Sequence, residues 1–523
     1  MATAPLSNPA AQTPMAAQFR QMGKGRAMDV QTDAALGFPF WLRVNHFINL
    51  FCIFLLMRSG VQILSDHPKL YWNDDSTPGS EWIKFGKKVM PKNRLWTSMD
   101  EAEHINSFVA LPGRHHNLGA GRNWHFLTVP VWILNGLIYV TLLFATGEWR
   151  RLIPTSWTIV PEAWDSFLTY ASFQIPPESA FHPYDPLQQL TYAFIVFVVA
   201  PLMIVTGLCM SPAFIARYPW YPRLFGGRQA ARSLHFIGLM TLALYTLTHI
   251  SLVAIVHFKH NIGNMVFGSP SPYANLAVAI AIAGLIGVIL FHIGATVYTL
   301  RHQRRFQVKA TAFIEPVMRM LFGRLRSRQQ YTKDDISPYH RVNGYPPDSE
   351  PYTSLADQHF ADWRLTVGGL VERPLELSLG QLKALPKQEQ ITKHNCIQGW
   401  SAVAEWGGVP MSVIVDLCLP LPQARYVAFH AFMQFEYAPD CYYEILTLED
   451  VHDPQTILAY EMNWKPLPIP HGAPCRLRVE TKVGYKMVKY LRSIEFVETF
   501  ATVGLGYGGY REDHQYYDKV ASI

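Results

Sequence analysis

Through roughly its first 300 residues the chain alternates long apolar runs with shorter polar stretches. Five runs, at 44–64, 124–145, 190–210, 234–258 and 274–300, come close to the ~20 residues that carry a helix across a bilayer core. Trp, Tyr and Arg gather at their ends, as they do where helices meet the membrane interface. Arg58 interrupts the first run and makes it the weakest. Beyond about residue 330 the pattern shortens to β-like runs at 363–367, 426–431, 475–480 and 494–498, broken by Gly and Pro, with one helical run at 411–417. This predicts an all-α transmembrane helix bundle of about five helices followed by an α+β domain. Residues 1–40, rich in Ala, Gln and Met, read as a disordered tail, and 41–300 as the membrane domain. Residues 301–334, opening Arg301-His302-Gln303-Arg304-Arg305, read as a basic connector, and 335–523 as the second domain.

Composition sharpens the division. Hydrophobic residues make up 49% of the 523 and charged residues 16%, below the roughly 25% of soluble proteins. The deficit of charge lies in the first half. A net charge of +6 without a concentrated basic tract argues against nucleic acid as a partner. The six cysteines form no CxxC pair, so a disulfide framework or zinc site is not expected, and a single functional thiolate is. The start of the sequence shows neither a short apolar stretch with a small-residue cleavage site nor a twin-arginine signal.

Ionisable side chains inside a bilayer are costly and therefore functional candidates, and histidine is a common axial ligand of haem iron. His235 and His249 lie fourteen residues apart, roughly 21 Å and close to four whole turns along one helix face. That spacing suits two haems stacked across a membrane. Parity selects their partners. With the N-terminus at side A, His46 and His249 fall near side A, His125 and His235 near side B, and these are the expected ligand pairs. Arg43, Arg122 and Arg232 each precede one of these histidines by three residues, one turn nearer the headgroups, where a guanidinium can fork onto a haem propionate. His292 reads as a packing residue.

On the motifs Arg43-Val-Asn-His46, Asn123-Trp-His-Phe126, Pro186-Leu-Gln-Gln-Leu-Thr-Tyr192 and Arg232-Ser-Leu-His235 with His249, residues 41–300 resemble the cytochrome b subunits of formate dehydrogenase, nickel-iron hydrogenase and thiosulfate reductase, of cytochrome b561 type. The resemblance implies two b haems and electron exchange with a quinone. The fifth helix departs from a four-helix pattern and leads to the appended domain.

The second half centres on Thr392-Lys-His-Asn-Cys396-Ile-Gln-Gly-Trp400-Ser401. A thiolate is a soft ligand for metals that demand sulfur, although a cysteine alone is more often a small buried hydrophobe. The stretches that follow change that reading: Ile457 to Asn463, His471-Gly-Ala-Pro-Cys-Arg476, and Lys482-Val-Gly484-Tyr-Lys486-Met-Val-Lys489. A glycine beside spaced lysines lets the backbone approach an anion that the ammonium groups neutralise. In this order the segments resemble the sulfite oxidase family, the oxidoreductase molybdopterin-binding domain, over roughly 335–523. The resemblance implies Cys396 as the thiolate ligand of molybdenum, His471 and Arg476 as cofactor contacts, Gly484, Lys486 and Lys489 as the pterin-phosphate segment, and Asn343 as a further pterin contact. The sequence stops too soon after 494–498 for a dimerisation domain. Its closing Gly508-Gly-Tyr-Arg-Glu-Asp-His514 is similar to the monomeric bacterial members of methionine sulfoxide reductase type. Tyr510 in that motif reads either as a substrate-side hydroxyl or as a packing residue.

The expectation is a multi-pass enzyme of the plasma (inner) membrane that passes electrons between quinone or quinol, two b haems and a molybdenum–molybdopterin centre. That centre would transfer an oxygen atom to or from a small oxo-substrate, with S- or N-oxide reduction favoured over oxidation of a sulfur compound. A further redox partner is compatible with this. The alternative is a cytochrome b electron-transfer subunit whose appended domain is degenerate and cofactor-free. The connector leaves the molybdenum domain on side B; Lys and Arg counts at the helix ends put that side in the cytoplasm, whereas the resemblance implies an N-terminus inside and a periplasmic molybdenum domain.

Overall fold

The computed structural model describes residues 37–517 apart from 176–183, 269–272, 323–328, 436–437 and 439. Most of the tail expected over 1–40 lies outside the described residues. Five helices are long and apolar enough to cross a membrane: α1 (Phe40–Ser65), α2 (Leu118–Ala145), α3 (Pro186–Met210), α4 (Arg228–Ile255) and α5 (Ala274–Arg301). The first four begin four to six residues before the apolar runs that start at 44, 124, 190 and 234. Their entry turns carry polar residues such as Arg43, Arg122 and Arg232, which a count of apolar positions passes over. Asp185 fixes the start of α3 through a capping box, its carboxylate accepting from the Gln188 N–H (2.9 Å) while Gln188 reaches back to the Asp185 N–H (3.4 Å). The helix widens to a π-turn over Ile195–Val199 just before Pro201, whose ring and missing N–H a regular turn accommodates poorly.

Leu134, Leu244 and Leu290 remain 59%, 66% and 61% exposed. Such faces are unsuited to water and suited to acyl chains. The stretch read as a basic connector is helical over Gln303–Phe322 (α6). Its Phe306, Ala310 and Ile314 bury against Ala120, with Trp124 packed alongside.

The rest is α+β, as the pattern predicted. One five-stranded sheet contains β1 (Arg364–Gly369), β2 (Leu375–Ser378), β5 (Tyr426–Gln434), β6 (Cys441–Thr447) and β10 (Leu491–Val497), in the order β2-β1-β10-β5-β6. Only the β1–β10 pairing is parallel within it. The other sheet contains β3 (Gln388–Asn395), β4 (Ser401–Pro410), β7 (Ile457–Met462), β8 (Lys465–Pro466) and β9 (Arg476–Arg478). It runs β8-β7-β4-β3, with β9 also on β7. A core of Trp363, Val427, Phe429, Ile494 and Phe496 fills the first sheet, and the indole N–H of Trp363 is satisfied by the Leu491 carbonyl at 3.0 Å.

The chain divides into two compact units. One draws on Met1–Asn49, Asn135–Val198 and Tyr245–Gly287, the other on Leu50–Leu134, Val199–Leu244 and Val288–Ile523. His46 and His249 belong to the first; His125, His235 and Cys396 belong to the second.

Candidate functional site

Strands β3 and β4 form a hairpin whose last pair is Asn395 with Ser401, and Cys396 stands at its turn. The turn is closed by Cys396 N–H to Trp400 O (3.0 Å) and Gly399 N–H to Cys396 O (3.1 Å). Gly399 takes φ +106°, a conformation that favours glycine. Cys396 lines a cleft together with Asn343, Arg476, Gly484 and Lys489. Its Sγ lies 3.5 Å from Gln398 Oε1 and 3.9 Å from Asn343 Oδ1. Burial pushes the thiol up to about 12, against the Gln398 backbone and the nearby Arg228 and Arg511. Such a sulfur stays protonated until a metal cation displaces the proton.

The cations around it suit an anion. Arg476 is 3% exposed; its guanidinium donates to the carbonyls of His471 (2.9 Å) and Met487 (3.5 Å), and its Nε has no partner. Lys489 Nζ donates to the Pro470 carbonyl at 2.9 Å and to Tyr490 Oη at 3.2 Å. Burial, then Arg476, holds this ammonium well below its ordinary value. Neither cation forms an ion pair among the described residues. Two buried basic groups facing one cleft without a carboxylate partner are costly to charge, and a pterin phosphate is the chemistry that would offset that cost. The residues fit that group. Gly484 matters through close approach, since an added Cβ would stand 2.3 Å from the His394 ring.

Three expected residues lie elsewhere. Lys486 does not line the cleft: its ammonium is enclosed by Glu444 (2.7 Å), Glu512 and the Gly508 carbonyl (2.9 Å). It is an internal ion pair, because two buried carboxylates claim it first. His471 also stands outside the cleft lining. Its carbonyl orients Arg476, and its ring, 5.2 Å from His340, is pushed down to about 3 by burial, Lys489 and Arg476. Tyr510 is fully buried, packed against Phe435 (5.3 Å), Tyr442 (5.2 Å) and His514 (4.5 Å). That burial is what its packing reading expects, and the neighbouring Arg511 lines the cleft.

The cleft also has a wall that the sequence did not announce. Asp66, Ser98, Met99, Ala102 and His116, all from the segment between α1 and α2, line it. Glu101 anchors that segment, bonded to His67 Nδ1 (2.7 Å) and Lys69 Nζ (2.9 Å), with Arg341 Nε at 3.5 Å. Burial raises this carboxyl, but His67, Arg341 and Lys69 outweigh burial and hold it well below the carboxylate range. Ser98 Oγ then donates to Asn343 Oδ1 at 2.7 Å. The capping box of Thr97 and Asp100 was a readable signal for a short helix here. Its partners some 250 residues away were not.

In the first unit the rings of His46 and His249 have centroids 6.2 Å apart. At this separation the two imidazoles could both serve one haem iron, and they are the residues that would hold it. The second pair fits through its hydroxyl partners. Ser59 Oγ donates to the Leu56 carbonyl (3.1 Å) and stands 3.0 Å from His125 Nδ1, so the imidazole must be the donor there. Thr206 Oγ1 likewise donates to the Leu202 carbonyl (2.6 Å) and stands 3.0 Å from His235 Nδ1. Both rings thus carry the Nδ1 proton, leaving Nε2 unprotonated as an iron ligand must be. Gly60 and Gly207 stand beside His125 and His235, an added Cβ falling 3.9 and 3.6 Å from their Cε1 atoms.

The arginines divide. Arg43 donates to the Val266 carbonyl and lies 5.5 Å over Phe40, while Arg122 stacks 5.0 Å over Phe126. Arg232 departs from its expected role. Its two terminal nitrogens donate to the carbonyls of Lys69 (2.6 Å) and His67, because a buried guanidinium takes the nearest acceptors. One turn earlier, Gln229 Nε2 donates to the Gly399 carbonyl at 3.0 Å. His292 accepts from Arg58, which is also bonded to Ser107 O, Ala110 O and Thr296 Oγ1, and so helps satisfy the charge in the later half of α1.

Comparison with known proteins agrees with both halves. Residues 37–268 match the family model "Prokaryotic cytochrome b561", and 352–502 match "Oxidoreductase molybdopterin binding domain". The chain is therefore a multi-pass membrane protein that joins a cytochrome b module to a molybdopterin-binding oxidoreductase domain, and these families imply haem b and molybdopterin. Among its relatives, the protein-methionine-sulfoxide reductase catalytic subunit MsrP of Xanthomonas axonopodis pv. citri is 33% identical over 184 residues, 33% of this chain and 57% of that protein. YedZ1 of Azospira oryzae, a proposed subunit of a protein-methionine-sulfoxide reductase, is 34% identical over 186 residues, 36% of this chain and 64% of that protein. The chain thus spans less than two thirds of each relative's length. The sulfane dehydrogenase SoxCD of Paracoccus pantotrophus superposes at a TM-score of 0.25 with 23% identity, over 29% of this chain and 40% of that one. That overlap is too small to carry an argument.

Proposed function

We propose that this protein is a quinol-fed molybdenum S-oxide reductase, with electrons passing through two b haems to the cleft of Cys396. His46 with His249 would hold one haem, and His125 with His235 the other. Cys396 would ligate molybdenum, while Arg476 and Lys489, with Asn343 and Gly484, would hold the pterin. When bound, that cofactor supplies two-electron oxygen-atom transfer, and the protein contributes position, charge and exclusion of water. Arg476 and Lys489 neutralise the cofactor's anionic end; the turn 396–400 fixes the sulfur.

The observation that carries this reading is the Gln229 to Gly399 hydrogen bond. It ties the turn that presents Cys396 to α4, six residues before His235, or roughly 9 Å along the helix. The names of the relatives favour S-oxides as the substrate class. Sulfoxide reduction consumes two electrons and two protons and yields a sulfide and water. The test is turnover by the purified full chain, with a quinol as the only electron donor and dimethyl sulfoxide or methionine sulfoxide as acceptor. The expected result is sulfide formation in step with quinol oxidation. A molybdenum-loaded protein that reduces no S-oxide would contradict the proposal.

A further inference from the structure

Asp66 is the first residue beyond α1, and is 6% exposed. It lines the same cleft as Cys396, and its Oδ2 is buried without a hydrogen-bond partner among the described residues. The other buried acids nearby are committed: Glu101 to His67 and Lys69, Glu444 and Glu512 to Lys486. Asp66 is also pinned. Its carbonyl accepts from Gln398 Nε2 (3.4 Å) and its N–H donates to Ile63 O (3.4 Å), so the residue is fixed beside the turn of Cys396. The sulfur itself is contacted by Gln398 and Asn343 instead.

A buried carboxyl oxygen left without a partner costs stability unless a ligand or water meets it. The charged and titratable groups that share its cleft are Arg511 from the closing helix Tyr510–Gln515, His116 from the segment before α2, the Cys396 thiol, Arg476 and Lys489. Burial raises the carboxyl to about 7, against Arg511, which lowers it. Burial thus favours the protonated form, the one that can donate a proton.

We propose that Asp66 is a catalytic residue of the cleft, contacting the substrate oxygen and donating a proton to it as the sulfur–oxygen bond breaks. The proposal rests on the S-oxide reading above. The sulfur–oxygen bond breaks and two oxygen–hydrogen bonds form. Sulfur is reduced by the two electrons that quinol supplies through the haems. One proton leaves Asp66 directly, and the second follows after the carboxylate is reprotonated from solvent. The products are a sulfide and water. The membrane half would then contribute a reacting group as well as electrons.

The test compares wild type, Asp66→Asn and Asp66→Glu as full-length, cofactor-loaded protein. One readout is reoxidation of quinol-reduced haems by dimethyl sulfoxide across a pH series. The other is modification of Asp66 by dicyclohexylcarbodiimide, which reacts with protonated buried carboxyls and is read by peptide mass without turnover. Asp66→Asn should keep molybdenum and haem but slow reoxidation about 100-fold or more, with KM little changed, and Asp66→Glu should recover part of the rate with a displaced pH profile. Wild type should be labelled at Asp66, and dimethyl sulfoxide should suppress the label. Wild-type rate and pH profile in Asp66→Asn would overturn the proposal, as would an unlabelled Asp66. If Asp66→Asn loses molybdenum, Asp66→Glu decides the matter: an undisplaced pH profile there overturns it. A wild type that reduces no S-oxide condemns the substrate reading, while the carbodiimide result still reports on Asp66.

Discussion

The side-chain amide of Gln229 donates to the backbone oxygen of Gly399 across 3.0 Å. Gly399 closes the turn that presents Cys396, and Gln229 lies in the first turn of the helix that carries His235. Arg232 strengthens the junction by holding the carbonyls of His67 and Lys69, next to Asp66 of the cleft wall. Electron transfer falls off with separation, so under the proposed function whatever holds this junction would control the rate between a haem at His235 and a metal at Cys396.

Replacing Gln229 and Arg232 together by Ala removes three hydrogen bonds, each worth about 1 kcal/mol. The double variant should retain both kinds of cofactor and reduce its haems normally with quinol, yet pass electrons onward more slowly. Stopped-flow spectroscopy of haem reoxidation by a sulfoxide checks this. An unchanged rate removes the junction from the electron path.

Ser59 and Thr206 accept the Nδ1 protons of His125 and His235. Such a bond makes an imidazole more electron-donating and favours ferric iron. Ser59→Ala and Thr206→Ala should therefore each raise the midpoint potential of one haem and leave the other unchanged. Potentiometric titration of the α-band distinguishes this from a shift of both haems, which would contradict the assignment.

His249→Ala should remove the haem shared with His46 and leave the His125–His235 haem in place. Tyr192, whose hydroxyl is 3.4 Å from His249 Nδ1, should not replace it, because a neutral phenol is a poor ligand for haem iron. Pyridine haemochrome analysis should fall from two haems per chain to one. Two haems in the variant would sink the pairing.

The sequence made the histidines legible because helix geometry is local: fourteen residues on one helix fix a face and a depth without knowledge of any partner. It also made Cys396, Arg476 and Lys489 legible through short-range motif order. It failed where partners lie far apart in the chain. Lys486 and Lys489 look alike in the motif, and only Glu444 and Glu512, brought in by β6 and the closing helix, decide that Lys486 is an internal pair. Asp66 sat in a loop with no pattern at all. The hairpin β3–β4 escaped for another reason: β4 is buried at nearly every position, so its residues do not alternate as a half-exposed strand does.

His471 gives the second domain an acid-sensitive step. Burial, Lys489 and Arg476 lower it from 6.5 to about 3. Between those values the unfolded chain binds a proton that the folded chain refuses, so stability rises with pH there and is lost as pH falls from about 6.5 toward 3. The slope from one such group is about 1.4 kcal/mol per pH unit. Denaturant unfolding of cofactor-free protein at pH 7 and pH 5 should show this loss in wild type and a smaller one in His471→Gln. Equal losses would show that His471 protonates in the folded state.

The central claim is that electrons from the haems leave the protein through a metal held by Cys396. Cys396→Ser replaces a soft thiolate by a hard, poorly ionised hydroxyl, while Arg476 and Lys489 remain to hold the pterin. The direct measurement is haem absorbance in a single experiment: reduce the purified protein with a quinol, then add dimethyl sulfoxide. Wild type should reoxidise; Cys396→Ser should take up electrons to the same extent and then stay reduced. Reoxidation of the serine variant at the wild-type rate would mean that Cys396 is an ordinary buried cysteine and that the account is wrong at its centre.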